Sequence, residues 1–248
     1  MRLTVVGSAG SFPNSDAAAS CYLLEHDGHA ILLDLGSGSI GPLQRYRGLD
    51  AIDGIAISHL HIDHCSDLGS MHVARRYNPK GPLPQVPVFG PVGISERMSA
   101  LYGLEPGEDM SAEFDFHEYA GQPSTVGPFT ISAFPVVHCI TAFAIKVAAG
   151  GRTLIYSGDT ALCPELIDAS VGADVALYEA SYLSTNDNPP DIHMTGRDAG
   201  VAAKKAGIPR LVLTHLVAWT DNKAVVAEAT EEFGAAVQVA TPGLTIDI

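Results

Sequence analysis

Short apolar runs of strand length alternate with segments of helical periodicity along this chain. The first run covers residues 3–7, and the next two cover residues 21–26 and 29–34. Asp27-Gly28 joins the last two runs, and this dipeptide is typical of a tight β-hairpin turn. The early hairpin and the later alternation predict an α/β fold in which parallel and antiparallel strand pairs share mixed sheets.

The same alternation continues to the end of the chain. Apolar runs predict strands at residues 53–57, 86–89, 113–119, 128–137, 142–147, 152–156, 174–179 and 210–214, followed by two short C-terminal strands. Helical spacing predicts helices at residues 66–77, 94–101, 164–170, 195–206 and 221–233. Because no repeat or linker interrupts the pattern, residues 1–248 are expected to form a single domain.

One connection is longer than the others and consists mostly of small residues. It covers residues 8–20, between the first two predicted strands. A loop of this length without secondary structure is often functional. It is therefore either a plain connection or a wall of a substrate site.

Composition and charge limit the classes of partner. Charged residues make up 17% of the chain and the formal net charge is −14, so an extended nucleic acid would be repelled and is not expected as a partner. No run is long enough to cross a membrane, and the strand-like N-terminus does not resemble a signal peptide, so a cytoplasmic protein is expected. The four cysteines form no C-x-x-C pair and are expected to be small buried residues: Cys21, Cys65, Cys139 and Cys163.

The most informative stretch is Ser58-His59-Leu60-His61-Ile62-Asp63-His64, directly after an apolar run. Buried imidazoles and carboxylates need partners, and a divalent metal ion supplies one for each. His59 and His61 are two residues apart, so in an extended segment they point the same way and can bind one ion. Asp63 and His64 can reach a second ion where the chain bends away. The alternative is a solvated turn rich in histidine.

Three later predicted strands also lead into a polar side chain of a metal-binding type. These residues are His138, Asp159 and His215. Each has another interpretation by itself: a buried histidine with satisfied hydrogen bonds, a helix N-cap, and a polar residue at a strand end. Strand ends converge at the edge of a shared sheet, so all three can join the first cluster in one site.

Together these motifs resemble the metallo-β-lactamase superfamily over the whole chain. The resemblance implies a four-layer αββα sandwich with two divalent metal ions at the edge of its two sheets. By this resemblance one ion is bound by His59, His61 and His138, the other by Asp63, His64 and His215, and Asp159 bridges both. Zinc is the expected metal, and manganese or iron would also suit this mixed ligand set.

Two further motifs resemble ribonuclease Z and its relatives. They are Tyr178-Glu179-Ala180-Ser181-Tyr182 and His193-Met194-Thr195. In that branch the residues equivalent to His193 and Glu179 lie beside the metal-bound aspartate and serve phosphodiester cleavage. His193 would bind a phosphate oxygen or protonate the leaving oxygen, and Glu179 would fix its tautomer. Asp63 is expected to act with them by linking the second metal to His193. The alternative is that His193 is a loop residue beside a helix N-cap.

Departures from the family pattern narrow the expected activity. Asp159 stands where the best-known antibiotic-hydrolysing members have cysteine, and His61 stands where diiron oxidoreductases have glutamate. Ser58 replaces a common threonine, and Tyr178 replaces the usual histidine of the ribonuclease Z motif. The chain also has no segment long enough for the tRNA-clamping arm of ribonuclease Z.

Without such an arm, the chain is similar to compact phosphodiesterases of the same branch, including actinobacterial cyclic-nucleotide phosphodiesterases. The similarity lies in residues 43–46, 74–79, 188–193, 214–216 and 219–220. The predicted function is hydrolysis of a small phosphodiester of the cyclic-nucleotide type by water that two metal ions activate. The alternatives are a ribonuclease Z-like RNA 3′-end endonuclease, a metallohydrolase acting on a lactone or thioester, and a non-catalytic metal-binding or scaffold protein on the same fold. A homodimer is expected.

Overall fold

A computed structural model describes residues 1–248 of the protein. It contains strands β1–β14, in order Arg2–Gly7, Cys21–His26, His29–Leu33, Gly54–Ala56, Val86–Gly90, Phe114–Glu118, Ser124–Val126, Phe129–Val136, Ala142–Ala149, Arg152–Tyr156, Val175–Glu179, Leu211–Thr214, Gln238–Val239 and Thr245–Asp247. It contains helices α1–α7, in order Ile40–Leu43, Ile62–Cys65, Leu68–Arg76, Ile94–Tyr102, Pro164–Ser170, Gly196–Lys205 and Asn222–Phe233, with a 3-10 turn at Leu49–Ala51. No helix is both long and apolar enough to cross a membrane.

The strands form two mixed sheets. The first has the order β14-β1-β2-β3-β4-β5-β6, antiparallel from β14 to β3 and parallel from β3 to β6. The second has the order β13-β12-β11-β10-β9-β8-β7, parallel from β13 to β10 and antiparallel from β10 to β7. The hairpin predicted at Asp27-Gly28 joins β2 to β3, and both residues have positive φ, as a type I′ turn requires.

Three apolar cores separate four layers. The central core lies between the sheets and joins Tyr22 and Leu24 of β2 to Ile145 of β9. The other face of β2, with Cys21 and Leu23, packs in a second core under α3 and α4, and a third core packs α5, α6 and α7 on the second sheet. Strand β2 therefore reads as a continuous apolar run because both of its faces are buried. The predicted αββα sandwich with mixed sheets is confirmed.

The structure contains short elements that the sequence pattern does not predict, among them α1 at Ile40–Leu43. Helix α2 at Ile62–Cys65 was not predicted; it directly follows His61 and precedes α3, which begins at Leu68 rather than at residue 66. The short strand β7 at Ser124–Val126 was also missed, because three residues carry too little periodicity to be distinguished from a loop. Helix α6 begins where expected, since Thr195 and Asp198 form a capping box.

Gly36 lets the loop after β3 lie directly against α2. The N–H of Leu35 donates to the carbonyl of His64 at 2.8 Å, and a Cβ on Gly36 would lie 1.8 Å from the carbonyl oxygen of Asp63. We therefore expect Gly36→Ala to lower the free energy of unfolding by about 1–3 kcal/mol, because backbone must move to admit the methyl group. Urea unfolding of the chelator-treated protein measures this effect without a contribution from bound metal.

The matched control is Gly41→Ala in α1, where a Cβ would meet no atom within 4 Å. This variant should unfold at the same urea concentration as the natural protein or slightly higher. Equal stability of the Gly36 and Gly41 variants would show that the contact with Asp63 is not tight.

Candidate metal centre

The loop after β4 carries the first group of imidazoles. His59 and His61 are two residues apart, and their Nε2 and Nδ1 atoms approach within 3.1 Å. His138, at the end of the segment after β8, brings its Nε2 to 3.2 Å from the same Nδ1 of His61. These three nitrogens lie close enough together to hold one metal ion.

The second group combines α2 with the end of β12. Asp63 and His64 lie in the first turns of α2, so the helix turns both toward His215, which follows β12. Asp63 Oδ2 lies 3.3 Å from Nε2 of His64 and 3.2 Å from Nε2 of His215. His215 has φ of +54°, and this left-handed backbone conformation is uncommon for a residue with a side chain.

Asp159 lies between the two groups. Its Oδ2 is 3.3 Å from Nε2 of His64, 3.4 Å from Nε2 of His215 and 3.6 Å from Nε2 of His59. Its other oxygen, Oδ1, is buried and has no hydrogen-bond partner. A buried carboxylate oxygen without a partner is costly unless a cation fills its place. The residues present therefore fit metal ions, and the position of Asp159 suits a bridging carboxylate.

Four of the five histidines in the two groups are held by a hydrogen bond at Nδ1, and their Nε2 atoms face the cluster. Nδ1 of His64 lies 2.7 Å from Asp34, and Nδ1 of His138 donates to the carbonyl of Ile192 at 2.7 Å. In the same way Nδ1 of His59 pairs with Ser58 Oγ at 3.0 Å and Nδ1 of His215 with Ser181 Oγ at 2.9 Å. Such outer contacts fix the tautomer and ring orientation of metal-binding histidines.

The electrostatics of the cluster also suit metal binding. Burial lowers the pKa of His59, His61 and His138, so these imidazoles are neutral with free lone pairs at neutral pH. Burial opposes ionisation of Asp159, but His215 and His64 outweigh it and hold the pKa of Asp159 well below its usual range. Burial also opposes the charged form of His64, but Asp159 and Asp34 in turn outweigh it and raise the pKa of His64. A metal ion needs this combination of neutral imidazole and ionised carboxylate.

His193 lies beside the cluster and is held by a carboxylate. Its Nδ1 is 2.8 Å from Oε1 of Glu179 and 3.9 Å from Oδ2 of Asp159. Burial opposes the charged imidazolium, but the Glu179 carboxylate and its hydrogen bond outweigh burial and raise the pKa of His193 to about 9. His193 is therefore doubly protonated at neutral pH, with Nε2–H not committed to Glu179.

Glu179 is itself held on several sides. It is fully buried at the end of β11 and accepts hydrogen bonds from the backbone N–H of Thr160 and of Ser181, at 3.1 and 3.0 Å. The hydroxyl of Ser181 donates to the same carboxylate at 3.0 Å and also contacts His215. This network joins the His193–Glu179 pair to the metal-binding group.

Comparison with known proteins agrees with this geometry. A family model described as the β-lactamase superfamily domain matches residues 29–216. The uncharacterized protein Rv1339 of Mycobacterium tuberculosis is 37% identical over 254 residues, covering 100% of this chain and 92% of the relative. The chain belongs to the β-lactamase superfamily.

Two further relatives locate this superfamily member among metallo-hydrolases. The probable metallo-hydrolase YhfI of Bacillus subtilis is 29% identical over 250 residues, covering 98% of each chain, and its crystal structure has a TM-score of 0.88 over 99% of each chain at 28% identity. Ribonuclease Z of Myxococcus xanthus is 26% identical over 304 residues, covering 100% of this chain and 98% of the relative. The predicted metallo-hydrolase class and the ribonuclease Z-like branch are therefore confirmed.

The superfamily member collects all of its predicted site residues at one edge of the sandwich, as a single cluster that contains His59, His61, Asp63, His64, His138, Asp159, Glu179, His193 and His215. One predicted relation has no direct contact behind it in the structure. Asp63 was expected to link the second metal to His193, but its hydrogen-bonding contacts are to His64 and His215. Asp159 is the carboxylate of the predicted metal set that approaches His193, because it follows β10, the strand next to the one that carries Glu179.

The cysteine prediction needs one correction. Cys21, Cys65 and Cys163 are buried as expected, but Cys139 is exposed. Its Sγ lies 3.6 Å from Nε2 of His138 and lines the cavity in front of the cluster. Cys139 lies shortly after the end of β8, where the chain leaves the core. Its side chain is therefore exposed at the edge of the site.

Sequence reasoning missed two residues near the cluster. Arg97 of α4 lines the same cavity of about 290 Å³ as His61, Asp63 and His193. It lies in a helix far from the motifs in sequence, and no local pattern marks it. Ser181 was seen only as part of the ribonuclease Z-like motif, although its hydroxyl connects Glu179 to His215.

Asp34 orients part of the centre without facing the metal-binding cluster. The fully buried carboxylate accepts hydrogen bonds from the backbone N–H and the hydroxyl of Ser58 at 2.7 and 2.8 Å, from the Tyr156 hydroxyl at 2.7 Å and from His64 Nδ1 at 2.7 Å. Asp34 therefore braces the loop that carries Ser58 and His59.

We expect Asp34→Asn to weaken metal affinity by about 10–100-fold, because the amide cannot accept from all of these donors and His64 loses its orientation. Asparagine tolerates the left-handed backbone at this position, where φ is +56°, so the fold should persist. Competition against a chromogenic chelator measures the affinity. Asp53→Asn, which alters a carboxylate that contacts Ala30 outside the site, is the control and should bind metal normally. Equal affinity of the two variants would contradict the role of Asp34.

Proposed function

We propose that this hydrolase cleaves a small phosphodiester of the cyclic-nucleotide type at a centre of two divalent metal ions. The observation that carries the proposal is the His193–Glu179 pair, which presents a protonated imidazole beside the metal-binding cluster. Hydrolysis of a phosphodiester must neutralise a charged phosphoryl group and protonate a poor leaving oxygen. Hydrolysis of a lactone or thioester has less need of a group that protonates the leaving atom.

Seven residues would hold the two ions, and zinc is the metal that we propose. His59, His61 and His138 form one group, Asp63, His64 and His215 the other, and Asp159 reaches both. When bound, the ions lower the pKa of a coordinated water and offset charge on the phosphoryl oxygens. The neutral imidazoles of His59, His61 and His138 and the ionised carboxylate of Asp159, described above, are the protonation states that such binding needs.

The side chains of the protein supply the remaining steps. His193 donates the Nε2 proton to the leaving oxygen, and Glu179 holds Nδ1 so that this proton points away from the carboxylate. Arg97 adds a second positive charge at the cavity and attracts an anionic substrate, although the protein as a whole carries a formal charge of −14. A cavity of about 290 Å³ lies at the small end of ligand pockets, which favours a small substrate.

A substrate panel tests the proposal. The chelator-stripped protein is reloaded with zinc, manganese or ferrous iron and assayed with 3′,5′- and 2′,3′-cyclic nucleotides, a precursor transfer RNA, a lactone and a β-lactam. We expect the highest kcat/KM for a cyclic nucleotide. Faster cleavage of the transfer RNA would favour a ribonuclease Z-like endonuclease, and faster cleavage of the lactone would favour a non-phosphate metallohydrolase.

A further inference from the structure

Two exposed aromatic side chains contact each other at the surface. Phe12 is 40% exposed and Trp219 is 71% exposed, yet their ring centroids lie 5.1 Å apart with an interplanar angle of 33°. Tyr77, which is 67% exposed, has no aromatic ring against it. A pair of large rings held together but facing solvent is an apolar surface without a partner inside the chain.

Both rings lie on segments that border the candidate metal centre. Phe12 follows Ser11, which lines the cavity and whose backbone N–H donates to Nε2 of His215 at 3.2 Å. Trp219 lies four residues after His215. The N–H of Gly10 donates to the carbonyl of Leu216 at 3.2 Å, so the two segments are paired through their backbones.

The pairing of the two segments is tight. A Cβ on Gly10 would lie only 2.4 Å from the carbonyl oxygen of His215, so a side chain there would separate them. Ser11 has φ of +63°, a left-handed conformation that is uncommon for a residue with a side chain. The loop of residues 8–20 is therefore held closely against the segment that carries His215 and leads to Trp219.

We infer that Phe12 and Trp219 stack on the nucleobase of the substrate while its phosphodiester lies at the metal centre. This inference rests on the proposed function and adds how the protein recognises the base of the substrate. Every base has a π-face, and stacking on an exposed aromatic ring is a common way to bind one. The base is uncharged, so the strongly acidic protein surface does not repel it, while the phosphate meets His193 and Arg97.

Trp219 is the only tryptophan of the chain and therefore reports on its own surroundings. We expect adenosine 5′-monophosphate to quench its fluorescence saturably and ribose 5-phosphate, which lacks the base, to have little effect. Phe12→Leu retains this reporter and should weaken binding of the nucleotide by about tenfold. Tyr77→Leu removes a more exposed ring elsewhere and should bind the nucleotide normally. Equal responses to the two ligands would overturn the inference, whether or not the protein hydrolyses phosphodiesters.

Kinetics supply the second readout. We expect Phe12→Leu and Trp219→Leu to lower by about tenfold the ratio of kcat/KM for cyclic AMP to kcat/KM for a cyclic phosphodiester without a base. Trp219→Phe should keep most of this ratio because it keeps a ring. If the natural protein hydrolyses cyclic AMP but the ratio is unchanged in both leucine variants, the inference fails and the proposed function stands.

The same variants also test a rival partner for the aromatic pair, which is a second copy of the chain. Light scattering of the same variants gives their oligomeric state and tests the expected homodimer. Dissociation of a dimer by Trp219→Leu with an unchanged substrate ratio would assign the aromatic pair to a subunit interface and overturn the inference. If the natural protein hydrolyses no phosphodiester at all, the proposed function fails. The fluorescence titration alone then tests whether the aromatic pair binds a base.

Discussion

Asp159→Ala is expected to reduce hydrolysis of the cyclic nucleotide by about a thousandfold or more, with loss of bound metal. The reason is geometric. Asp159 Oδ2 approaches His59 of one group and His64 and His215 of the other, so it is the carboxylate common to both. Without it, no carboxylate would offset the charge of the two metal ions at the point where the groups meet. Elemental analysis of the purified variant measures the metal, and initial rates at saturating substrate measure the activity.

The fold of the Asp159 variant should persist, because the three apolar cores lie away from this carboxylate. Asp168→Ala provides the control, since Asp168 is an exposed carboxylate on α5 close to Asp159 in the sequence. It should retain metal and activity. A protein that kept two metal ions per chain and normal turnover without Asp159 would show that this residue does not bridge the centre.

His193→Ala is expected to lower kcat by about 10²–10⁴-fold while the metal content stays unchanged. His193 lies beside the cluster, held by Glu179 at 2.8 Å, and its proposed task is to protonate the leaving oxygen. A substrate with a p-nitrophenolate leaving group needs little protonation, so its cleavage should suffer much less than that of cyclic AMP. The comparison of the two substrates separates a general acid from a residue that only shapes the cavity.

The pH dependence gives a second measure of the His193–Glu179 pair. His193 has a pKa raised to about 9, so the proton that it donates is present below this pH and is lost as the pH rises through it. Turnover of cyclic AMP should therefore fall above about pH 9. Glu179→Gln removes the charge that raises this pKa, so the fall should move to lower pH.

Replacing an exposed histidine provides the control for this series. His117 is bonded to Asp115 on β6, and His117→Ala should leave the rates and the pH profile unchanged. If His193→Ala hydrolysed cyclic AMP at the natural rate, the role assigned to the pair would be wrong. If it lost metal, His193 would belong to the ligand set instead.

The family, the fold class and the two groups of site residues could be recognised before the structure, because their signals are local. A histidine two residues from another, an aspartate next, and polar residues after apolar strands are read directly from neighbouring positions. Strand and helix positions follow from periodicity and caps in the same way, as the capping box at Thr195 shows.

The contacts across the sandwich were decided only by tertiary structure. Asp34 accepts hydrogen bonds from residues 58, 64 and 156. Arg97 reaches the cavity from a helix that carries no motif. Phe12 contacts Trp219, which lies near the opposite end of the chain. Which carboxylate approaches His193, Asp159 rather than Asp63, was likewise decided by the neighbouring positions of β10 and β11. The sequence alone determined which side chains could bind metal. Packing of the two sheets determined which atoms face one another, because local periodicity carries no information about the distance between remote segments.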